Sequence, residues 1–137
     1  MANIAPAPRH LERGVIASQS ILWLIVSILL LLAPRYFLGF FGPGITPFGE
    51  TVAQFFGAEL SGFALASWFT RNVESVAVIR RLVSSYIVCN FLGFLVSLTG
   101  TLSGRLNSHA WLLVALYLGY ALMFSYLCFA KTESAPF

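Results

Sequence analysis

Four long apolar segments occupy most of this 137-residue chain. They cover residues 14–33, 51–69, 82–100 and 110–130. Each is about 19 to 21 residues long, and at about 1.5 Å per residue a helix of that length crosses a hydrocarbon core of about 30 Å. In lipid every backbone amide needs a partner within the protein, so a spanning segment is either a helix or a strand of a closed barrel. Barrel strands alternate in polarity whereas these runs are continuously apolar, and we therefore predict four membrane-spanning helices.

The scarcity of charge supports this prediction. Charged residues make up 9% of the chain, against about 25% in ordinary soluble domains. A soluble helical bundle of this size would need more polar surface than the chain can supply. We divide the sequence into a flexible N-terminal leader (residues 1–13), a four-span membrane domain (residues 14–130) and a C-terminal tail (residues 131–137).

Basic residues are distributed unequally between the two sides of the predicted membrane domain. Two of the eight Lys and Arg residues, Arg35 and Arg105, flank one side, and the other six flank the opposite side: Arg9, Arg13, Arg71, Arg80, Arg81 and Lys131. Cytoplasmic loops are enriched in Lys and Arg. We predict an all-α, integral membrane, antiparallel four-helix bundle with both termini cytoplasmic, in a bacterial inner membrane. Topology accounts for these charges without a nucleic-acid partner, and the expected partners are the lipid bilayer and either other membrane subunits or a second copy.

Residues that could catalyse a reaction or bind a metal are sparse. Cys89 and Cys128 lie inside predicted spans without a neighbouring Cys or His motif, and His10 and His109 lie outside mid-membrane depth. We therefore predict no catalytic residues, no metal site and no cofactor, and leave a quinone or lipid open as a bound molecule.

The connection at residues 34–50 is rich in both helix-breaking and aromatic residues. Glycines and prolines prevent one regular helix, and the aromatic side chains make a freely solvated loop costly. One interpretation is a segment in the outer membrane interface, where aromatic rings are favoured. The other is a lid over a lipophilic pocket, or a docking surface for another membrane subunit. The candidate residues are Tyr36, Phe37, Phe40, Phe41 and Phe48.

Glu59 lies about ten residues into the second span, which is roughly 15 Å along a helix and close to the bilayer midplane. A charged side chain there costs about 3 kcal/mol or more, so we expect Glu59 to face the bundle interior. Asn90 and Tyr120 are predicted at a similar depth and are its candidate hydrogen-bond partners. Three roles stay open for the carboxyl group: a structural hydrogen bond, a functional proton or ligand group, or a contact with another subunit.

A stripe of polar and small residues runs along one face of the third span, with spacings of four, three, four and three. In a membrane helix such a stripe marks the face that packs against other helices. Leu92 falls outside it and is predicted to face lipid. The stripe consists of Tyr86, Asn90, Gly93, Ser97 and Gly100.

The second span also carries a family resemblance. Residues 56–65, with the sequence FGAELSGFAL, followed by Arg71, resemble the second helix of DoxX-like small four-helix membrane proteins. In that family a Gly, a Glu, a Gly and a Leu recur at this spacing, so Glu59 and Gly62 would be family positions. The resemblance implies an accessory subunit of a quinone-linked or other membrane oxidoreductase assembly.

The sequence thus predicts a non-catalytic accessory or scaffolding subunit of a larger membrane complex, of which an electron-transfer complex is one kind. Two alternatives stay open. One is a small membrane enzyme or carrier that binds a quinone-like lipophilic molecule near Glu59, with Asn90, Tyr120 and Tyr86 as neighbouring polar candidates. The other is a proton-coupled transporter.

Overall fold

The computed structural model describes residues 9–73 and 75–130. The described chain is helical, with no strand in it, and the predicted tail and most of the predicted leader lie outside the described residues. The helices are α1 (Arg9–Leu32), α2 (Pro34–Gly39), α3 (Pro47–Thr70), α4 (Val76–Leu102) and α5 (Trp111–Ala130), with a 3-10 turn at Ser108–Ala110 before α5. Residues 9–13, which were predicted to belong to the flexible leader, form the first turn of α1.

Three helices within the described residues are long and apolar enough to cross a membrane: His10–Leu32, Ala77–Leu102 and Ser108–Cys128. They correspond to the first, third and fourth predicted spans. The second predicted span lies in α3, which has 24 residues and is therefore long enough. It is not among these three helices, and it carries Glu50, Gln54 and Glu59.

The helices pack as two antiparallel pairs, of which α1 and α3 form the first. The Ser27 hydroxyl of α1 donates a hydrogen bond to the Gly57 carbonyl of α3 at 2.8 Å, and Gln54 Nε2 donates to the Leu31 carbonyl at 3.1 Å. A Cβ atom at Gly57 would lie 3.0 Å from Leu30 Cβ. The absence of a side chain at Gly57 therefore lets the two backbones approach closely.

The second pair consists of α4 and α5 and confirms the predicted packing stripe. Tyr86, Asn90 and Ser97 are buried, whereas Leu92 is exposed. A Cβ atom at Gly93 would overlap the Tyr117 ring of α5. The small residue in the stripe thus makes room for a large aromatic residue on the neighbouring helix.

The two pairs meet in a buried apolar core over one half of their length. Ile16 of α1, Tyr86 of α4 and Phe124 of α5 are almost completely buried there, together with Val15, Val83 and Leu127. The other half lies towards the two connections that join α1 to α3 and α4 to α5. We call this second half the lid end, after the connection between α1 and α3, which lies over it.

At the lid end, nearby residues determine where α3 begins and where α4 ends. The Thr46 side chain caps α3 by accepting a hydrogen bond from Gly49 N at 3.1 Å, and Pro47 occupies the first turn, where its missing N–H has no partner to lose. The chain leaves α4 through Gly104 with a φ of 71°, a conformation that favours glycine.

Candidate functional site

A cavity of about 780 Å³ lies between the four long helices at the lid end. This volume falls within the range of about 300–1,000 Å³ typical of small-molecule sites. Its walls are almost entirely apolar side chains. Those on α1 and α5 are Trp23, Val26, Leu30, Leu113, Leu116 and Tyr117.

Trp23 and Tyr117 line the end of the cavity that lies towards the apolar core. Their ring centroids lie 5.3 Å apart, with the planes tilted by 35°. Tyr117 fits against α4 because position 93 is a glycine. The same packing stripe that closes the core therefore also shapes the inner end of the cavity.

The connection between α1 and α3 covers the outer end of the cavity, and we refer to residues 34–46 as the lid. Phe37, Leu38, Phe41, Pro43 and Ile45 of the lid line the cavity. These contacts place an apolar surface between the cavity and the water beyond the lid end.

Hydrogen bonds hold the lid to the connection between α4 and α5. Asn107 N donates to the Phe41 carbonyl at 2.8 Å, and Asn107 Nδ2 donates to the Phe40 carbonyl at 2.9 Å. The His109 ring stacks on the Phe40 ring with centroids 4.4 Å apart. The lid is thus fastened across the end of the molecule by both backbone and side-chain contacts.

The cavity opens sideways, between α3 and α4. Val52 and Phe56 of α3 and Leu92 and Val96 of α4 line it while remaining 48%, 57%, 56% and 71% exposed. In the core half the same two helices are connected, because the Tyr86 hydroxyl hydrogen-bonds to Ser67 Oγ. The opening is therefore confined to the lid end and has apolar edges.

Two residues of the cavity lining carry unused hydrogen-bonding capacity. The indole N–H of Trp23 is buried and has no acceptor within the described residues. Arg105, at the lid-end rim, donates through Nε to Ser103 Oγ at 3.0 Å and makes no ion pair with a described residue. An apolar chamber with a few polar groups is the usual composition of a site for a lipophilic molecule.

Asn90 and Tyr86 belong to a buried hydrogen-bonded chain across three helices rather than to the cavity. Gln19 Nε2 of α1 donates a hydrogen bond to Asn90 Oδ1 at 3.2 Å, and Asn90 Nδ2 donates to the Tyr86 carbonyl at 2.8 Å. The Tyr86 hydroxyl in turn donates to Ser67 Oγ of α3. Tyr120 lies beside this chain, with its hydroxyl 3.1 Å from Ser18 Oγ. These polar groups join the two helix pairs.

Glu59 is exposed on α3 and has no hydrogen bond or ion pair with a described residue. The expectation that it faces the interior, beside Asn90 or Tyr120, is wrong for this chain. Gly57 faces α1, and two residues further along a helix of 3.6 residues per turn is about 200° around it. Glu59 therefore points away from the other helices.

The five aromatic candidates divide between the two interpretations of their segment. Phe37 and Phe41 line the cavity, as a lid would. Tyr36 and Phe48 are 85% and 79% exposed and Phe40 is also exposed, as expected for rings at a membrane interface.

Sequence reasoning missed Trp23, Tyr117, Arg105 and Gln19. A signal existed in α1, where Ile16, Gln19, Trp23 and Ser27 recur at spacings of three, four and four and are all buried. This stripe is similar to the one recognised in α4, and it carries the two polar side chains that the packing face of a membrane helix favours.

Within the described part of the chain, no three His, Cys, Asp or Glu side chains lie together as a metal site. Comparisons with protein-family models, with curated proteins and with solved structures returned no match.

Proposed function

We propose that this protein is an integral membrane four-helix bundle that binds a lipophilic molecule in the lid-end cavity. The observation that carries the proposal is the apolar chamber of about 780 Å³, covered by the lid and open sideways between α3 and α4. In this role the protein takes its ligand from the bilayer through the opening between α3 and α4. A lipid or a quinone-like molecule is the class of ligand, and the role is that of a carrier or binding subunit.

Packing and charge support the proposed arrangement in the membrane. In this proposal α3, which packs along α1, is the fourth span. The position of six of the eight Lys and Arg residues supports cytoplasmic termini, and in this proposal the lid faces the outer side of a bacterial inner membrane.

The first test is to measure what the purified protein carries. We expect the full chain, purified in mild detergent and extracted with organic solvent, to release close to one equivalent of a lipophile, identified by mass spectrometry. Val96→Trp, at the edge of the opening, should reduce the amount about tenfold, which corresponds to about 1.4 kcal/mol, because the larger side chain obstructs the opening.

Val88→Trp is the matched control. Val88 is also an exposed valine of α4, 59% accessible, but it does not line the cavity. It should retain the lipophile. Equal amounts in both variants, or no lipophile in the wild type, would contradict the proposed function.

A second candidate function is the accessory subunit of a larger membrane complex. The observation that favours it is the exposed Glu59, which lies on one face of α3 beside Phe55, Gly62 and Ala66, all likewise exposed. A carboxyl group at mid-membrane depth is costly against lipid, and small residues let a further helix approach closely. In this role Glu59 contacts a helix of another subunit or of a second copy. The DoxX-like resemblance, which agrees with this role, stays a prediction.

A further inference from the structure

Among the described residues, the charges at the lid end leave one cation without a counter-charge. Glu50 forms an ion pair with Arg35. Arg105 makes no ion pair with a described residue. Its side chain donates one hydrogen bond, from Nε to Ser103 Oγ, so both terminal guanidinium nitrogens are without a partner among the described residues. These nitrogens are suited to bidentate contact with a carboxylate or a phosphate.

Arg105 lies at the rim of the cavity. It belongs to the cavity lining, and its carbonyl oxygen packs 3.6 Å from the position of a Cβ atom on Gly42 of the lid. It is the charged residue of a lining that is otherwise apolar but for Ser97, Trp23 and Tyr117. The rim therefore combines one cation with an adjoining chamber for hydrocarbon.

We infer that the ligand is a single-chain amphiphile with an anionic headgroup, whose chain occupies the cavity and whose headgroup binds Arg105. The inference rests on the proposed function and specifies the ligand. The lid separates the chamber from water, while the apolar edges of the opening between α3 and α4 admit a chain from the bilayer. An exposed guanidinium at the membrane surface keeps the headgroup hydrated, so that no charge enters the apolar interior.

The test compares an acid with its ester. Binding of radiolabelled hexadecanoate and of methyl hexadecanoate to the full chain in nanodiscs is measured by scintillation proximity. We expect hexadecanoate to bind more tightly. Arg105→Gln should weaken its binding about tenfold to a hundredfold, the loss expected for one hydrogen bond to a charged group, and should leave ester binding unchanged.

Arg35→Gln is the matched control, since it removes the same charge at the same end of the molecule from a residue that does not line the cavity. It should change neither affinity by more than about twofold, because an exposed ion pair contributes little. Arg105→Lys should restore part of the lost affinity for hexadecanoate.

Competition separates the two sources of such an anion. Displacement of hexadecanoate by a lysophosphatidylglycerol, but not by a lysophosphatidylcholine, would assign the site to lipid headgroups, and no displacement by either would assign it to free fatty acids. Both results support the inference. Equal affinity for acid and ester, unaffected by Arg105→Gln, would overturn it while leaving the binding of a lipophile intact.

Discussion

Single residues at the helix contacts explain both the fit of the bundle and the shape of its cavity. Gly57 brings α1 against α3, and Gly93 accommodates Tyr117. The orientation of Gly93 could be predicted from the sequence, because its neighbours at three and four residues form a polar and small stripe. Tyr117 could not, since its own helix shows no comparable stripe and a tyrosine suits a core, a cavity wall or an interface equally well.

At this scale we predict that Gly93→Leu destabilises the protein far more than Leu92→Ala does. The added side chain at position 93 meets the Tyr117 ring, and overpacking costs about 1–3 kcal/mol or more. Leu92 is 56% exposed, so its truncation should change the free energy of unfolding by no more than about 0.5 kcal/mol. Thermal unfolding in detergent measures both variants, and similar apparent melting temperatures would contradict the assigned orientation.

Among the elements, α3 differs most from its sequence-based prediction. Its existence and length were predictable, because an apolar run bounded by prolines and an arginine defines a helix. The direction of Glu59 was not, since hydropathy gives depth and not rotation about the helix axis. The face of α3 that packs against α1 is made by Ala53, Gly57 and Ala64, and only the packed structure distinguishes these small residues from the exposed Gly62 and Ala66.

For α3 we predict that Glu59→Leu leaves the thermal stability of the isolated chain unchanged or raises it, because the carboxyl group has no partner among the described residues. If Glu59 contacts a partner helix, the same variant should shift the protein to a smaller assembly on gel filtration in mild detergent. Glu59→Gln should retain the assembly, since it keeps most of the hydrogen-bonding capacity.

Val88→Ala, at an exposed position of α4, is the control for a general effect of altering the lipid-facing surface. If Glu59→Leu does not alter the size of the assembly, the accessory-subunit role loses its support. A loss of stability in the monomeric variant would show instead that Glu59 acts within the chain.

The described part of the molecule has a core half, with a buried apolar cluster, and a hollow half, with the large cavity. The existence of the core half was predictable, since an apolar chain must pack its stripes together. The hollow half was only one of two interpretations of the aromatic connection, because the same rings suit an interface and a lid. What distinguishes them is the contact of Phe41 with Asn107, which joins two connections 66 residues apart in the chain. No local pattern in the sequence reports such a contact.

At this scale we predict the topology. Cysteines introduced at Ala5, Ser75 and Ser134, in a chain whose Cys89 and Cys128 are replaced by serine, should react with an impermeant maleimide only after the membrane is permeabilised. A cysteine at Gly44 of the lid should react in intact cells. Labelling at position 75 in intact cells would show that the topology is the reverse of the one predicted.

The fastening of the lid to the second connection also bears on the order of folding. Each antiparallel helix pair is a hairpin whose contacts are local in sequence, so either hairpin can form as soon as its two helices are in the bilayer. The cavity belongs to neither hairpin and comes into being only when they dock, after which the Asn107–Phe41 and Asn107–Phe40 hydrogen bonds lock the outer end. A newly made chain therefore acquires this cavity last, after both hairpins have formed.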